Sequence, residues 1–132
     1  MAAFSNYMED AITAWINGTT FPSAPTNTYV QLYSQSPTDT GSATGALYTR
    51  VTYAASGWTR GTGGNGTLSN TNAITMQASA PSAATATHFG VFDAATGGNL
   101  LFHGGLTPPE GKSIAVGDEV KFNALQLTLT VA

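Results

Sequence analysis

The chain has 132 residues and a mass of 13.5 kDa, which is about the length of one domain, and 42% of its residues are hydrophobic. Charged residues make up only 8% of the sequence and the formal net charge is −3, whereas about 25% of residues are charged in a typical soluble domain. Four basic residues cannot form the positive surface that nucleic-acid binding requires, so this class of partner is excluded.

Export and membrane signals are absent from the sequence. The chain has no cysteine, which excludes a disulfide framework and a thiolate metal site. The N-terminal residues, MAAFSNYMED, include Glu9 and Asp10 where a signal peptide would be apolar. No apolar run approaches the ~20 residues of a membrane-spanning helix. We therefore expect a protein that is made without export and has no membrane span.

Residues from about 5 to 17 predict one N-terminal α-helix. Asn6 and Glu9 fit a capping box, and Ser5 is an alternative N-cap. Apolar residues with helical spacing form a single stripe: Met8, Ala11, Ile12, Trp15 and Ile16. Gly18 suits the left-handed position that follows a helix. We expect the stripe to pack on a sheet, because a helix this short needs tertiary contacts to persist.

The rest of the chain has the pattern of short strands separated by turns. Segments rich in β-branched and aromatic residues, or alternating in polarity, lie at 29–33, 47–54, 73–78, 87–92, 99–104, 119–122 and 125–131. The segment SAPSAAT (79–85) is interpreted as a loop, and the stretch around Trp58 is ambiguous. This spacing predicts a mainly β protein, a single domain over 1–132. Its antiparallel β-sandwich has about seven to eight short strands over residues of about 28–131, with the helix packed on it.

The strands at 87–92 and 99–104 predict a hairpin that is apolar on both faces. Pairing Phe92 with Asn99 gives three further predicted pairs: Val91 with Leu100, Phe89 with Phe102, and His88 with His103. One face is then core and carries Phe89, Val91, Leu100 and Phe102. The other face has an apolar centre with a polar border and carries His88, Phe92, Leu101 and His103. We interpret this second face as a candidate subunit interface, with burial beneath the helix as the alternative.

Catalytic and cofactor motifs are weak throughout the sequence. GTGGNG (61–66) formally matches G-x-G-x-x-G, but a turn and a strand follow it instead of a helix. His88 and His103 lack further ligands at a recognisable spacing. The acidic residues Glu110, Asp118 and Glu119 all lie in turn-like sequence. We therefore predict that the protein is not an enzyme and has no catalytic, cofactor-binding or metal-binding residues.

Aromatic side chains leave sugar binding as an alternative function. Those that fall in or near the predicted strands are Tyr29, Tyr33, Tyr48, Tyr53 and Trp58. Such rings stack on sugars in carbohydrate-binding sandwiches, although most aromatic residues in strands are core or cross-strand partners.

Several segments resemble a family of small proteins of tailed bacteriophages, the phage tail fibre proteins. The most specific segment is THFGVFDAATGGNLLFHGGLT (87–107), followed by VGDEVKF and LQLTLT. The N-terminal part agrees, with NYMEDAITAWINGTTF, TYVQLYSQSPTDTG, the run Tyr48-Thr49-Arg50, the pair Ser69-Asn70, and Ile74. The resemblance covers most of the chain and implies a structural component of a virion.

A chain of this length without internal repeats cannot form a long fibre shaft. The resemblance therefore implies a compact subunit on the outside of the virion: a tail-fibre-type or minor tail protein, or a capsid decoration (cement) protein. The expected partners are other virion proteins, the tail or the major capsid protein, together with further copies of the chain. The sparse charge favours such association. The alternative from another class is a module that binds glycans of the host surface.

Overall fold

A computed structural model describes residues 2–61, 63–64, 66–106 and 112–130. Within these ranges the chain forms one α-helix and twelve strands. In chain order the elements are β1 (Ala3–Phe4), α1 (Asn6–Ile16), β2 (Asn27–Tyr33), β3 (Ala46–Ala54), β4 (Trp58–Arg60), β5 (Thr67–Asn70), β6 (Ile74–Gln77), β7 (Ala84–Ala86), β8 (His88–Phe92), β9 (Leu100–Gly105), β10 (Lys112–Ile114), β11 (Val120–Phe122) and β12 (Thr128–Thr130). A 3-10 turn, Ala55–Gly57, connects β3 to β4.

The strand count exceeds the predicted seven to eight because several strands are only three residues long. Strand β7 lies partly within the segment interpreted as a loop, and β4 contains the ambiguous Trp58. Both are too short to show a period in the sequence, so only their pairing partners identify them.

One layer of the fold is a five-stranded sheet with the order β1-β9-β8-β2-β3, in which all neighbours are antiparallel. The inner face of this sheet carries the buried residues Val30, Leu32, Phe89, Val91 and Phe102. Val30 and Leu32 of β2 and Phe89 and Val91 of β8 are alternate residues, because successive side chains of a strand point to opposite faces, and β9 supplies Phe102.

The second layer consists of three small antiparallel sheets, with orders β10-β7, β11-β6 and β12-β5-β4. These contribute further members of the same buried cluster: Trp58, Ile74, Met76, Ile114, Val120, Leu127 and Leu129. The Trp58 ring meets Phe102 of the large sheet edge-on, with 5.5 Å between ring centroids. The prediction of a mainly β, antiparallel sandwich with one N-terminal helix is therefore confirmed.

Helix α1 begins at one of the two predicted N-cap residues. Ser5 is the N-cap, and its Oγ accepts a hydrogen bond from the N–H of Met8 at 3.2 Å. Thus Ser5, rather than Asn6, occupies this position. The helix ends at Ile16, and Gly18 has the expected positive φ of 90°. None of the helical structure in the described part of the chain has the length and apolarity that crossing a bilayer requires.

The packing predicted for the C-terminal half of α1 is wrong. Trp15 is 62% exposed and Ile16 is 74% exposed, whereas Met8 and Ile12 are half-buried. The helix is attached at its N-terminal end, where β1 pairs with β9 and the Ser5 N–H donates to the carbonyl of Leu101 at 3.1 Å. Its last turn therefore projects beyond the apolar surface that its first turns contact.

The predicted register of the β8–β9 hairpin is also wrong. The observed pairs are Phe92 with Leu100, Val91 with Phe102, Gly90 with His103, Phe89 with Gly104 and His88 with Gly105. The register shifts between Val91 and Phe92, so Leu101 is an extra residue on β9. A bulge of this kind transfers side chains between faces and leaves no trace in hydrophobic periodicity.

Candidate interaction site

The outer face of the large sheet carries a second, smaller apolar cluster. Its buried members are Tyr33, Phe92 and Leu100, with Tyr29 packed against them. Leu100 was predicted to face the core, and the bulge at Leu101 places it here instead. Phe92 was predicted to form the centre of the interface, and it is only 3% exposed.

A loop of residues 34–45, which we call the covering loop, folds over this cluster. At Gly41, where φ is 72°, an added Cβ would lie 2.9 Å from the Cβ of Leu100. Glycine is therefore required both by the backbone conformation and by the close approach. Pro37 of the same loop is fully buried. The chain itself thus covers the centre of the face that the sequence predicted as a subunit interface.

Arg50 completes the cover over the aromatic cluster. Its guanidinium lies 3.6 Å from the centroid of the Phe92 ring, a cation–π contact. One of its nitrogens, Nη1, donates to the carbonyls of Ala94 at 2.7 Å and Gly97 at 2.8 Å. Burial lowers the pKa of Arg50 and raises the pKa of neighbouring Tyr33. These contacts attach the β8–β9 turn to the edge strand β3.

The two histidines lie on the same outer face, but they are not cross-strand partners. His103 Nε2 is 2.7 Å from Oδ1 of Asp39 in the covering loop. The Asp39 carbonyl accepts the Asn6 N–H at 3.0 Å, so this loop also contacts the start of α1. Nδ1 of His88 hydrogen-bonds with Thr87 Oγ1 at 2.8 Å. Burial, and next the charge of His103, lower the pKa of His88.

On the other side of the hairpin, Leu101 lines an open apolar groove of about 500 Å³. The groove lies between α1, the segment 21–25 and the second layer of the sandwich. Apolar side chains form most of its wall, including Phe4, Tyr7, Met8, Phe21, Leu68 and Leu101. Arg60 and Asp93 also line it. Such a groove can take up apolar side chains of another molecule.

The structure therefore divides the four predicted interface residues. His88 and His103 are half-buried on the outer face, Phe92 is buried beneath Arg50, and Leu101 lies in the groove. The sequence did not reveal the groove, because its walls come from α1, the 21–25 segment and strands distant in the chain. One signal was present: Phe21 stands between a helix and two prolines, where no strand or helix explains an apolar residue.

The five aromatic residues considered for sugar stacking do not share one surface. Tyr29 and Tyr33 belong to the outer cluster, whereas Tyr48, Tyr53 and Trp58 pack with the inner core. The hydroxyl of Tyr48 donates to the Ser82 carbonyl at 2.8 Å, and that of Tyr53 donates to the Gly57 carbonyl at 2.7 Å. They form no common platform.

The acidic residues considered for catalysis have structural contacts where they are described. Oδ2 of Asp118 accepts the Ala115 N–H at 2.8 Å, and Glu119 is 3.9 Å from the ammonium of Lys121. Glu110 lies outside the described residues, as do positions 62 and 65 of the GTGGNG segment. Within the described ranges, no group of three or more His, Asp or Glu side chains is placed to hold a metal ion.

The family model described as podophage GP4 fiber I protein gp80 matches residues 3–130, and the chain belongs to this family. It is therefore a bacteriophage fibre structural protein and a component of the virion, which interacts with other virion components. This match confirms the predicted resemblance to a phage tail fibre family. No curated protein matches the sequence.

Proposed function

We propose that this chain is a compact, non-enzymatic, single-domain subunit that docks on the exterior of the virion through its apolar groove. The observation that carries this proposal is the groove itself, whose wall combines Leu101 with side chains of α1 and with Phe21. An apolar surface of this kind is typical of a protein contact.

The proposed partner is another virion protein of the tail, so that the chain acts as a tail-fibre-type or minor tail protein. Attachment to the major capsid protein, as a decoration or cement protein, is the alternative location. Assembly onto the particle takes place in the host cytoplasm under either scheme. Of the predicted interface residues, Leu101 belongs to the proposed docking surface, and His88 and His103 remain proposed contacts on the opposite face.

A binding experiment with single substitutions tests the role of the groove. Phe21 is 39% exposed at the groove, so Phe21→Asp is expected to leave the fold intact. The matched control is Val116→Asp, because Val116 is also exposed but does not line the groove. Purified variants are added to particles that lack the protein. We expect Phe21→Asp to lose binding and Val116→Asp to retain it, since a buried unpaired carboxylate opposes docking.

Equal binding of Phe21→Asp and the wild type would refute docking through the groove. Quantitative mass spectrometry of separated heads and tails then distinguishes the two locations. A copy number close to that of the major capsid protein indicates decoration of the head, and a few copies confined to tails indicate the fibre.

Recognition of a host glycan is a second candidate, favoured by one observation. The groove combines aromatic rings of Phe4, Tyr7 and Phe21 with the charged groups of Arg60 and Asp93. Sugars are bound by such combinations of stacking and polar groups. A glycan array probed with the purified protein tests it: binding that Phe21→Asp abolishes supports recognition of a sugar, and an array without signal refutes it.

A further inference from the structure

We propose that residues 2–16 are exchanged between two copies of the chain, so that the N-terminal arm of one copy completes the groove of the other. The N-terminal arm is defined here as residues 2–16, that is Ala2, β1, Ser5 and α1. This proposal rests on the same groove as the proposed function, but its test uses the purified protein without virions. A failure of one can therefore be distinguished from a failure of the other.

The N-terminal arm is attached to the sandwich through its first residues, where Ala2 belongs to the buried core and Phe4 packs against it. Two residues of β1 pair with β9. The N–H of Ser5 donates to the Leu101 carbonyl, its hydroxyl donates to that of Leu100, and the Asn6 N–H donates to the Asp39 carbonyl. None of the 11 residues of α1, all of them described, is fully buried. Because the partners of these contacts lie in β9 and the covering loop, an identical arm from a second copy satisfies them equally well.

The connection between the arm and β2 has the properties of a hinge. Every residue from 15 to 26 is exposed. No backbone hydrogen bond joins residues 20–25 to the described part of the chain. Pro22 and Pro25 bias the residues before them toward extended conformations. The residues between α1 and β2 (17–26), which we call the linker, span about 33 Å when extended. This length is comparable to the diameter of a domain of this size, for which the radius of gyration is about 14 Å.

Exposed apolar side chains supply the preference for the exchanged form. Two of the five large apolar residues that are exposed in the described part of the chain lie at the end of the arm, next to the linker: Trp15 and Ile16. Exchange keeps every contact of the arm and brings the two linkers together. The side chains near the linkers are then buried between the copies, a gain that the closed single chain does not obtain.

Cysteine pairing across β1 and β9 tests the exchange directly, because the native chain has no cysteine. Ala3 and His103 are cross-strand partners, and residues in that relation have a Cα separation suited to a disulfide. One copy carries Ala3→Cys and the other His103→Cys. The two are unfolded together, refolded as an equal mixture and oxidised. The control mixture replaces His103→Cys with Thr85→Cys, an exposed threonine of β7 that is not a partner of Ala3.

We expect a disulfide-linked pair of chains in the Ala3→Cys and His103→Cys mixture, and a much lower yield in the control mixture. The unsubstituted protein provides a second measurement, because loss of the His103–Asp39 contact can impair folding. Its sedimentation mass is expected to be twice 13.5 kDa. A mass of 13.5 kDa at every soluble concentration overturns the proposal. The proposal is also overturned if the Ala3→Cys and His103→Cys mixture folds but yields no more of the disulfide-linked pair than the control mixture does.

Discussion

Asn70 fastens the turn between β11 and β12 to the rest of the sandwich, and Asn70→Ala tests this role. The side chain is fully buried at the end of β5. Its Nδ2 donates to the carbonyls of Asn72 and Asn123, both at 2.9 Å. Its Oδ1 accepts the N–H of Leu127, also at 2.9 Å. One amide thus connects three separate backbone positions.

The size of the effect follows from these three hydrogen bonds. Alanine cannot replace any of them, so two carbonyls and one N–H lose their partner. Each net hydrogen bond contributes about 1 kcal/mol, and a group that stays buried without a partner costs about 1–3 kcal/mol. Leu127 is itself buried, so water cannot readily reach its N–H. We expect the free energy of unfolding to fall by about 3–6 kcal/mol, a large share of the ~5–15 kcal/mol of a typical domain.

Urea unfolding followed by tryptophan fluorescence measures this loss. The matched control is Asn72→Ala, because Asn72 is exposed and contributes its backbone carbonyl, which the substitution retains. We expect the control to change the free energy of unfolding by no more than about 0.5 kcal/mol, as surface substitutions do. A loss below about 1 kcal/mol for Asn70→Ala, or one equal to the control, would refute this account of Asn70.

Two further predictions concern the packing of Trp58 and the pH dependence of stability. Trp58→Ala is expected to lower the free energy of unfolding by about 3–5 kcal/mol, because the ring packs on Phe102 and its Nε1 donates to Thr28 Oγ1 at 2.9 Å. Val116→Ala, at an exposed site, is expected to cost under about 1 kcal/mol in the same urea unfolding experiment, and equal losses would contradict the packing of Trp58. Because the pKa of His88 is lowered in the folded state, the unfolded chain binds the proton more readily. The titration of His88 therefore leaves the free energy of unfolding unchanged above about pH 6.5 and lowers it below that pH. His88→Gln is expected to flatten this decline in urea unfolding measured between about pH 8 and 5. An unchanged slope would assign the decline to other titratable groups.

The elements that could be predicted from the sequence are those whose signal is local. The start of α1 was visible in Ser5, the alternative N-cap, and its end in Gly18. The strands β2, β3 and β8 were visible from their β-branched and aromatic residues. Each of these signals lies within a few residues of the feature that it predicts, so no knowledge of the tertiary structure was needed.

The candidate site could not be predicted in the same way, because its features depend on contacts between distant residues. The bulge at Leu101 moved Leu100 to the outer face, and nothing in the alternation of β9 shows it. The burial of Phe92 depends on Arg50, which is 42 positions away in the sequence, and on the covering loop. The exposure of Trp15 follows from where β1 attaches, since the apolar stripe itself is regular.

The distribution of charge limits the kind of contact that this protein can make with its neighbours. Of the four basic residues, Arg50 is engaged with Phe92 and two backbone carbonyls, which leaves Arg60, Lys112 and Lys121 exposed. Surface ion pairs contribute little even where they form, and salt weakens them. A chain this poor in charge must therefore obtain its binding energy from apolar contacts and neutral hydrogen bonds. In the described part of the chain, the groove and the exposed end of the N-terminal arm concentrate the apolar surface that such contacts need.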